Sequence, residues 1–337
     1  MFLCADIGGT KTRLCLNASK DSYDPLHIKT YLNARYHGFK DILADYLKKY
    51  KPRLTSACLA VAGPIHNNFC IMTNLNWKID GTEIGQQFAI ATVLLINDLS
   101  ATALAVPLID TDDFLVLQNA LPKLQDGPIA VIAAGTGLGE SVLQWDHNLQ
   151  RHHTINSEGG HKDFSPHDAI SRELNEYIIA KEACNYLSIE DLLSGRGLQR
   201  MYDFFTQKNK TLDGNKPPSP AQILDLVNAG NAAAIATVQC FIRLMATEAS
   251  NVAMQYYSTG GVVIAGGLMP RLLPQLDIDD FLTRFTDKHQ FHNWLKTIPV
   301  LICRNTEAPL VGAFYYLQQY LHTQHNSPYR SGSMPKK

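Results

Sequence analysis

Glycine-rich segments directly after strand-like runs are the first sign of chemistry in this sequence. Gly8-Gly9-Thr10 follows the apolar run Phe2–Ile7, and Gly135-Thr136-Gly137 follows Ile129–Ala134. Because glycine lacks a Cβ, successive backbone N–H groups in such turns can approach an anion closely, and threonine adds a hydroxyl donor. Gly266-Gly267 ends a third apolar run, as expected where a flat ligand lies against bare backbone. The sequence therefore predicts two phosphate-binding turns and a segment that contacts a nucleoside.

A carboxylate stands immediately before the first of these turns. Asp6 is too short and too polar for an ordinary core position, and its oxygens would suit a hydrated Mg²⁺. The alternative is a plain hairpin in which Asp6 caps its own turn. The sequence has no GxxxxGK[ST] segment and no HRD or DFG motif, which excludes a P-loop NTPase and a protein kinase.

A second pair of polar residues follows another strand-like run. Asn97 and Asp98 come directly after Thr92–Ile96, at the strand end where open α/β sheets bind ligands. A carboxylate at such a place can accept the proton of an attacking hydroxyl. Asp98 could equally be the N-cap of the small-residue helix that follows it.

Two further polar side chains have the mixture of acceptors and donors that sugar hydroxyls require. Glu158 and His161 are separated only by two glycines, so a turn there directs both side chains toward one ligand. No third side chain completes a metal site with them. Glu190, before a short glycine-terminated helix, is by itself interpreted as an ordinary solvated charge.

The elements around these residues alternate between strands and helices. This alternation predicts an α/β architecture, with a β-hairpin in which Cys15 points outward and a last helix over Glu307–Leu321. The order strand, glycine turn, strand occurs at Asp6–Thr12 and again at Ala134–Val142, which indicates two related halves. A long helix carries an apolar stripe from Ile235 to Tyr256, to be interpreted as a core helix or as the seam of a homodimer.

Composition narrows the class of protein further. The 337 residues predict about two domains, and 30 basic against 31 acidic residues give a formal net charge of −1. That balance excludes nucleic-acid and anionic-membrane partners. The seven cysteines are scattered without a CxxC pair, and apolar stretches are of strand length. With no basic segment before the first strand, we expect a soluble cytoplasmic protein with reduced thiols.

Taken together, the motifs resemble the bacterial glucokinases of the hexokinase/actin-like ATPase superfamily. The resemblance covers residues 3 to 320 in the family's order. It implies a two-domain actin-like ATPase (ribonuclease H-like) α/β fold with an interdomain cleft: a small domain of residues 1–107 plus 306–321, a large domain of 108–305, and a disordered tail of 322–337. The matching segments are Asp6–Thr10, Ala60–Pro64, Met72–Asn74 with Trp77, Ile96–Asp98, Gly135–Gly139, Glu158–His161, Glu190 with Leu193–Gly197, and Gly260–Gly267.

The resemblance also implies ATP-dependent phosphorylation of glucose at its 6-hydroxyl, the first step of glycolysis, with Mg²⁺. Asp98 would be the general base. The other sugar hydroxyls would be bound by Asn97, Glu158, His161 and Glu190. The residues implied for ATP are Gly8, Gly9, Thr10, Gly135, Thr136 and Gly137 at the phosphates, Gly266 and Gly267 at the adenosine, and Asp6 at the metal through water.

Two positions depart from the family pattern. Lys11 stands where many relatives carry Asn, and Glu140 stands where a small or apolar residue is commoner. We expect Lys11 to help neutralise phosphate charge, Glu140 to weaken ATP binding, and neither to touch the sugar site. Alternatives are a kinase for another hexose or an amino sugar, including the repressor-related sugar kinases, and a non-catalytic sugar sensor on the same fold. The repressor-related kinases usually carry a cysteine-rich zinc motif, which this sequence lacks.

Overall fold

The structure, a computed structural model, describes residues 1–72, 74–118, 127–208 and 217–326, with side chains as far as residue 323. The chain divides into two compact units. Unit 1 comprises Met1–Leu108 and Glu307–Lys337, and unit 2 comprises Ile109–Thr306. Thr73 of the segment Met72–Asn74 and the last residues of the expected tail lie outside the described residues.

The described strands and helices occur in short runs of one type along the chain. In order, the strands are β1 (Phe2–Ile7), β2 (Lys11–Asn17), β3 (Pro25–Leu32), β4 (Ser56–Val61), β5 (Ile65–His66), β6 (Phe69–Met72), β7 (Trp77–Asp80), β8 (Thr92–Asn97), β9 (Phe114–Gln118), β10 (Ile129–Ala134), β11 (Leu138–Asp146), β12 (Arg151–Ser157), β13 (Gly261–Ala265) and β14 (Val300–Cys303). The helices are α1 (Phe39–Tyr50), α2 (Gly81–Phe88), α3 (Asp98–Ala105), α4 (Ala169–Glu182), α5 (Gly195–Lys208), α6 (Pro220–Asn228), α7 (Ala232–Gln255), α8 (Met269–Leu272), α9 (Ile278–Thr286), α10 (His292–Leu295) and α11 (Ala308–Asn326).

The main sheet of unit 1 has the strand order β3-β2-β1-β4-β8. Strands β1, β4 and β8 are parallel, and β2 and β3 are antiparallel additions. All side chains of β4 are buried, as expected for a central strand covered on both faces. Because β1, β4 and β8 are in register, their carboxyl ends lie at one edge of the sheet. The Gly8 turn follows β1, and Asp98 follows Asn97, the last residue of β8.

The main sheet of unit 2 repeats this arrangement. Its order is β12-β11-β10-β13-β14-β9, with β10, β13 and β14 parallel and β11 and β12 antiparallel. Each unit thus contains an antiparallel hairpin whose first strand also pairs with a parallel strand: β1 with β4 in unit 1, and β10 with β13 in unit 2. The two hairpins are the segments that the glycine turns indicated in the sequence.

The long helix α7 lies in the core of unit 2. Val238, Ile242, Met245, Ala249 and Val252 are all buried, which favours the core-helix interpretation of the stripe. The helix begins with Asn231, whose side-chain oxygen accepts the N–H of Ala234 at 2.9 Å. By length and composition alone it also passes as a membrane span, as many core helices do.

Two details of the expected pattern are wrong. Cys15 is buried instead of pointing outward, because α11 covers the second face of the sheet that contains β1, β2 and β4. Helix α11 also continues to Asn326 instead of ending at Leu321. It packs closely on α3, where Gly312 lies against the backbone of Ala101 and leaves no room for a Cβ.

Candidate active site

The first glycine turn is held by a buried asparagine from the end of β3. The amide of Asn33 donates to the carbonyl of Gly8 at 2.8 Å, and its oxygen accepts the hydroxyl of Thr12 at 2.8 Å. Its backbone N–H donates to the carbonyl of Thr10 at 3.0 Å. The turn is therefore fixed from one side while Thr10 stays exposed toward solvent. Asn33 was missed by the sequence analysis, because no local motif marks it.

Asp6 and Asp98 are close enough to affect each other's charge. Burial, and then the charge of Asp98, raise the pKa of Asp6 to about 7, while Arg13 on the facing strand lowers it. Two neighbouring carboxylates beside a glycine turn present hard oxygen donors. Within the described residues, no group of three or more His, Cys, Asp or Glu side chains is arranged to hold a metal. Mg²⁺ is usually held by one or two carboxylates together with substrate phosphates, so the carboxylate of Asp6 fits that cation.

The cap of α3 is Asn97, and Asp98 is the first residue of the helix. The side-chain oxygen of Asn97 accepts the N–H of Leu99 at 3.0 Å and the N–H of Ser100 at 3.1 Å. Its amide donates to the carbonyl of Gly63 at 3.3 Å, so the loops after β4 and β8 are joined. The suggestion that Asp98 is the N-cap is therefore wrong. Asp98 is half-buried at the positive end of a helix, an environment that stabilises a carboxylate.

The second glycine turn adjoins two other elements of unit 2. The N–H of Gly135 donates to the carbonyl of Gly137 at 2.8 Å, which closes the turn. The carbonyl of Gly135 accepts the N–H of Gly195 at 2.9 Å, so the first residue of α5 touches the turn. Gly266 has a φ of +88° and lies against the backbone of Ala134, where a side chain would overlap it. The structure thus brings Gly135, Gly137 and Gly266 together at the carboxyl ends of β10 and β13.

Glu158 and His161 are exposed at the two ends of a tight turn. Gly159–His161 forms a single 3-10 turn after β12, closed by the N–H of His161 donating to the carbonyl of Glu158 at 2.9 Å. The hydroxyl of Ser157 accepts the N–H of Gly159 at 2.9 Å. Both side chains keep their polar atoms available to a ligand.

Glu190 is no ordinary solvated charge. It lies in the 3-10 turn Ile189–Asp191, and its carboxylate accepts the N–H of Leu138 at 2.9 Å. The same carboxylate occupies the space that a side chain at position 137 would need. This residue therefore contacts the strand that begins directly after the second glycine turn.

Glu140 differs most from its expected place. Its side chain is fully buried, and its carboxylate lies directly against Gly159 inside the Glu158–His161 turn. Glu140 therefore lies against the turn that carries Glu158 and His161, and its contact there is with Gly159. The physical reason is the pairing of β11 with β12, which sets Glu140 opposite Ser157. Lys11, by contrast, is exposed at the start of β2.

Each unit combines an antiparallel hairpin with parallel strands in this order and has a glycine turn at the strand ends. This arrangement defines the actin-like ATPase class of fold. Glucokinase from Balamuthia mandrillaris, solved in complex with glucose, has this fold, with a TM-score of 0.80 at 23% identity over 93% of this chain and 92% of that chain. The crystal structure of glucokinase from an Antarctic psychrotroph has a TM-score of 0.77 at 29% identity and covers 96% of this chain and 98% of that chain.

Sequence comparison gives the family. The family model described as Glucokinase matches residues 3–320. Glucokinase from Nostoc punctiforme is 33% identical over 338 residues, which cover 93% of this chain and 97% of the relative. The chain therefore belongs to the glucokinase family and is a sugar kinase. Its reaction is the phosphorylation of glucose with ATP as the phosphoryl donor.

Proposed function

We propose that this enzyme transfers the γ-phosphoryl group of ATP to the 6-hydroxyl of glucose, with Asp98 as the general base. The observation that carries the proposal is the geometry at the end of β8. Asn97 caps α3 through two backbone N–H groups, which leaves Asp98 half-buried at the helix start with one carboxylate oxygen accepting the N–H of Leu99 at 2.9 Å. A carboxylate fixed in this way can align a hydroxyl and accept its proton.

In the proposed reaction, Asp98 takes the proton of the 6-hydroxyl as its oxygen bonds to the γ-phosphorus. The bond between that phosphorus and the β,γ-bridging oxygen breaks, and ADP leaves. Such a transfer needs alignment and charge stabilisation rather than covalent help from the protein. One half-buried carboxylate is therefore sufficient as the group of the protein that takes part in the proton transfer.

The remaining hydroxyls of the sugar are assigned to Asn97, Glu158, His161 and Glu190. The tight turn that carries Glu158 and His161 supports this assignment, because it presents a carboxylate and an imidazole from its two ends. Glu190 lies in a second 3-10 turn of the same unit.

The glycine turns are assigned to ATP. The residues assigned to the phosphates are Gly8, Gly9, Thr10, Gly135, Thr136 and Gly137. Gly266 and Gly267 would face the adenosine, which is supported by the close packing of Gly266 on Ala134 beside the second turn. Bare backbone at the ends of parallel strands is suited to both tasks.

Mg²⁺ would be held through water by Asp6, and when bound it would neutralise phosphate charge. The raised pKa of Asp6, caused by burial and by the charge of Asp98, supports a cation at this place, because a positive charge relieves both effects. Asp6 itself then orients a hydrated cation instead of taking part in proton transfer.

We further propose that the enzyme works in the cytoplasm, at the first step of glycolysis. All seven cysteines are free thiols, and most are buried among apolar side chains, as suits a reducing compartment.

The test is the activity of Asp98→Asn with a panel of glucose, mannose, fructose and N-acetylglucosamine. Coupling to glucose 6-phosphate dehydrogenase reports the position of the new phosphate, and ADP release reports turnover on every sugar. We expect glucose to be preferred and kcat to fall about 10²- to 10⁴-fold in the variant. Asp80→Asn is the matched control, because Asp80 caps α2 by accepting the N–H groups of Thr82 and Glu83 at 2.8 and 3.1 Å and asparagine preserves such a cap. Near-normal turnover of Asp98→Asn would reject the assignment of the base. If the wild-type enzyme preferred another sugar, the alternative kinases would be favoured. If the wild-type enzyme turned over none of these sugars, a sensor would be favoured.

A further inference from the structure

A cluster of three charged side chains lies in unit 2, directly behind the Glu158–His161 turn: two buried carboxylates and Lys162, which is 32% exposed. The ammonium of Lys162 lies 3.2 and 3.3 Å from the two carboxylate oxygens of Glu140 and forms a second ion pair with Glu248 of α7. The side chains of Glu140 and Glu248 are 0% and 3% exposed, so neither carboxylate is solvated. Lys162 therefore pairs with two buried carboxylates.

The cluster touches the turn at two points. The carboxylate of Glu140 lies against Gly159, in the space that a side chain there would fill. Lys162 is the residue after His161, and its N–H donates to the carbonyl of Gly159 at 3.1 Å. The ion pair between Lys162 and Glu140 thus holds two parts of the turn: Lys162, which directly follows it, and the Glu140 carboxylate, on which it packs.

The backbone of Lys162 also connects the turn to Glu190. The carbonyl of Lys162 accepts the N–H of Ile189 at 3.0 Å, and Ile189 begins the 3-10 turn that carries Glu190. Lys162 is therefore bonded through its side chain to Glu140 and Glu248, and through its backbone to both turns that present the proposed sugar-binding side chains.

Such a cluster is suited to precise placement more than to stability. Burial raises the pKa of Glu140 to about 7 even though Lys162 lowers it, which means that the carboxylate is held where ionisation is costly. Asn251 also donates to Glu248 at 3.0 Å, so each carboxylate has defined partners. Charges that are compensated only in one geometry restrict the alternatives open to the backbone around them.

We propose that Lys162, held between Glu140 and Glu248, is a positioning residue that sets the Glu158–His161 turn and the Glu190 turn for binding hexose hydroxyls. This inference rests on the proposed function, because it assigns those turns to the sugar. It also gives a role to Glu140, a departure from the family pattern that the proposed reaction does not use.

The experiment compares Lys162→Met, Lys162→Arg and Glu140→Gln with the wild-type enzyme. We expect Lys162→Met to raise the KM for glucose at least tenfold while the KM for ATP changes less than threefold. Lys162→Arg keeps the charge and should stay within about threefold of wild type. Hydrogen exchange of residues 157–163 and 188–191 should speed up in Lys162→Met. The matched control is Lys208→Met, which removes an exposed lysine paired with Glu173 in the same unit and should leave both KM values unchanged.

Glu140→Gln guards against loss of folding, because glutamine has the same shape and leaves Lys162 paired with Glu248. If Lys162→Met does not fold, a three- to tenfold rise of the glucose KM in Glu140→Gln supports the proposal. An unchanged glucose KM in every variant that folds contradicts the positioning role, as does an equal rise of both KM values. A wild-type enzyme without activity on glucose would instead contradict the proposed function itself.

Discussion

The carboxylate of Glu190 accepts the backbone N–H of Leu138 at 2.9 Å and occupies the space next to the Cα of Gly137. A residue assigned to the sugar is thereby bonded to the strand that follows a phosphate-binding turn. Both lie within unit 2, so this contact depends only on the packing of the turn Ile189–Asp191 against β11. A small shift in one of them is transmitted directly to the other.

This contact predicts the effect of a single methyl group. Gly137→Ala places a Cβ where the carboxylate of Glu190 lies, so Glu190 must move. Misplacement of a substrate-binding group by about 1 Å can cost on the order of 10²-fold, and we expect kcat/KM for glucose to fall about 10- to 100-fold. Steady-state kinetics at varied glucose and ATP measure this loss.

A double-mutant cycle tests the cause of that loss. In the background of Glu190→Ala the overlap is absent, and the further cost of Gly137→Ala should shrink to less than threefold. Additive losses would mean that alanine damages the phosphate turn itself and not the position of Glu190.

A second prediction concerns the first glycine turn and Asn33. Asn33→Ala removes the bonds to Gly8 and Thr12 and leaves buried polar groups without a partner. We expect unit 1 to lose about 1–3 kcal/mol of unfolding free energy and the KM for ATP to rise at least fivefold. Thermal unfolding and ATP saturation curves measure the two effects.

The control for Asn33 is a second asparagine of the same unit. Asn68 donates to the carbonyl of Val93 at 2.9 Å and accepts the N–H of Leu95 at 2.8 Å, away from the glycine turn. Asn68→Ala should destabilise at least as much, because position 68 also has a φ of +60° that strains alanine, and it should leave the KM for ATP unchanged. Equal rises in KM for the two variants would show that lost stability, and not the placement of the turn, lowers ATP affinity.

Local features of the chain were predictable from the sequence because each depends only on residues that are neighbours in the chain. The glycine turns, the strand before Asn97 and Asp98, and the repeated hairpin all follow from short motifs in apolar runs. The core position of α7 agrees with one of the two interpretations of its apolar stripe.

Contacts between distant segments were not predictable in the same way. Asn33 meets Gly8 only because β3 pairs with β2, and Glu140 meets Gly159 only because β11 pairs with β12. Cys15 alternates like an outward residue, but α11 covers that face of the sheet. A charged residue at position 140 therefore looked like a neighbour of phosphate, although its buried carboxylate is compensated by Lys162.

The last prediction concerns Asp191, which anchors the turn that carries Glu190. Its carboxylate accepts the N–H and the hydroxyl of Ser188 at 2.9 and 2.8 Å and pairs with Arg200 at 2.7 Å. Partial burial raises the pKa of Asp191, but the bonds from Arg200 and Ser188 outweigh it and hold the pKa below its usual value. Asp191→Asn should therefore cost about 2 kcal/mol of unfolding free energy near pH 7, the usual size for hydrogen bonds to a charged group.

The sign of the pH dependence follows from the lowered pKa of Asp191 in the folded protein. The unfolded chain binds the proton more readily, so the ionised form stabilises the fold above the ordinary pKa of aspartate, and this contribution disappears as the pH falls through the lower folded value. The difference in stability between wild type and Asp191→Asn should thus be constant from about pH 6 to 8 and shrink below about pH 4.

Two arginines that pair with the carboxylate of Asp191 provide the control. The side chain of Arg200 is 13% exposed, and Arg200→Ala should lower the free energy of unfolding by more than about 1 kcal/mol. The side chain of Arg196 is 61% exposed, and Arg196→Ala should lower it by less than about 0.5 kcal/mol. A stability difference that grows toward acid pH would contradict this account of the Glu190 turn.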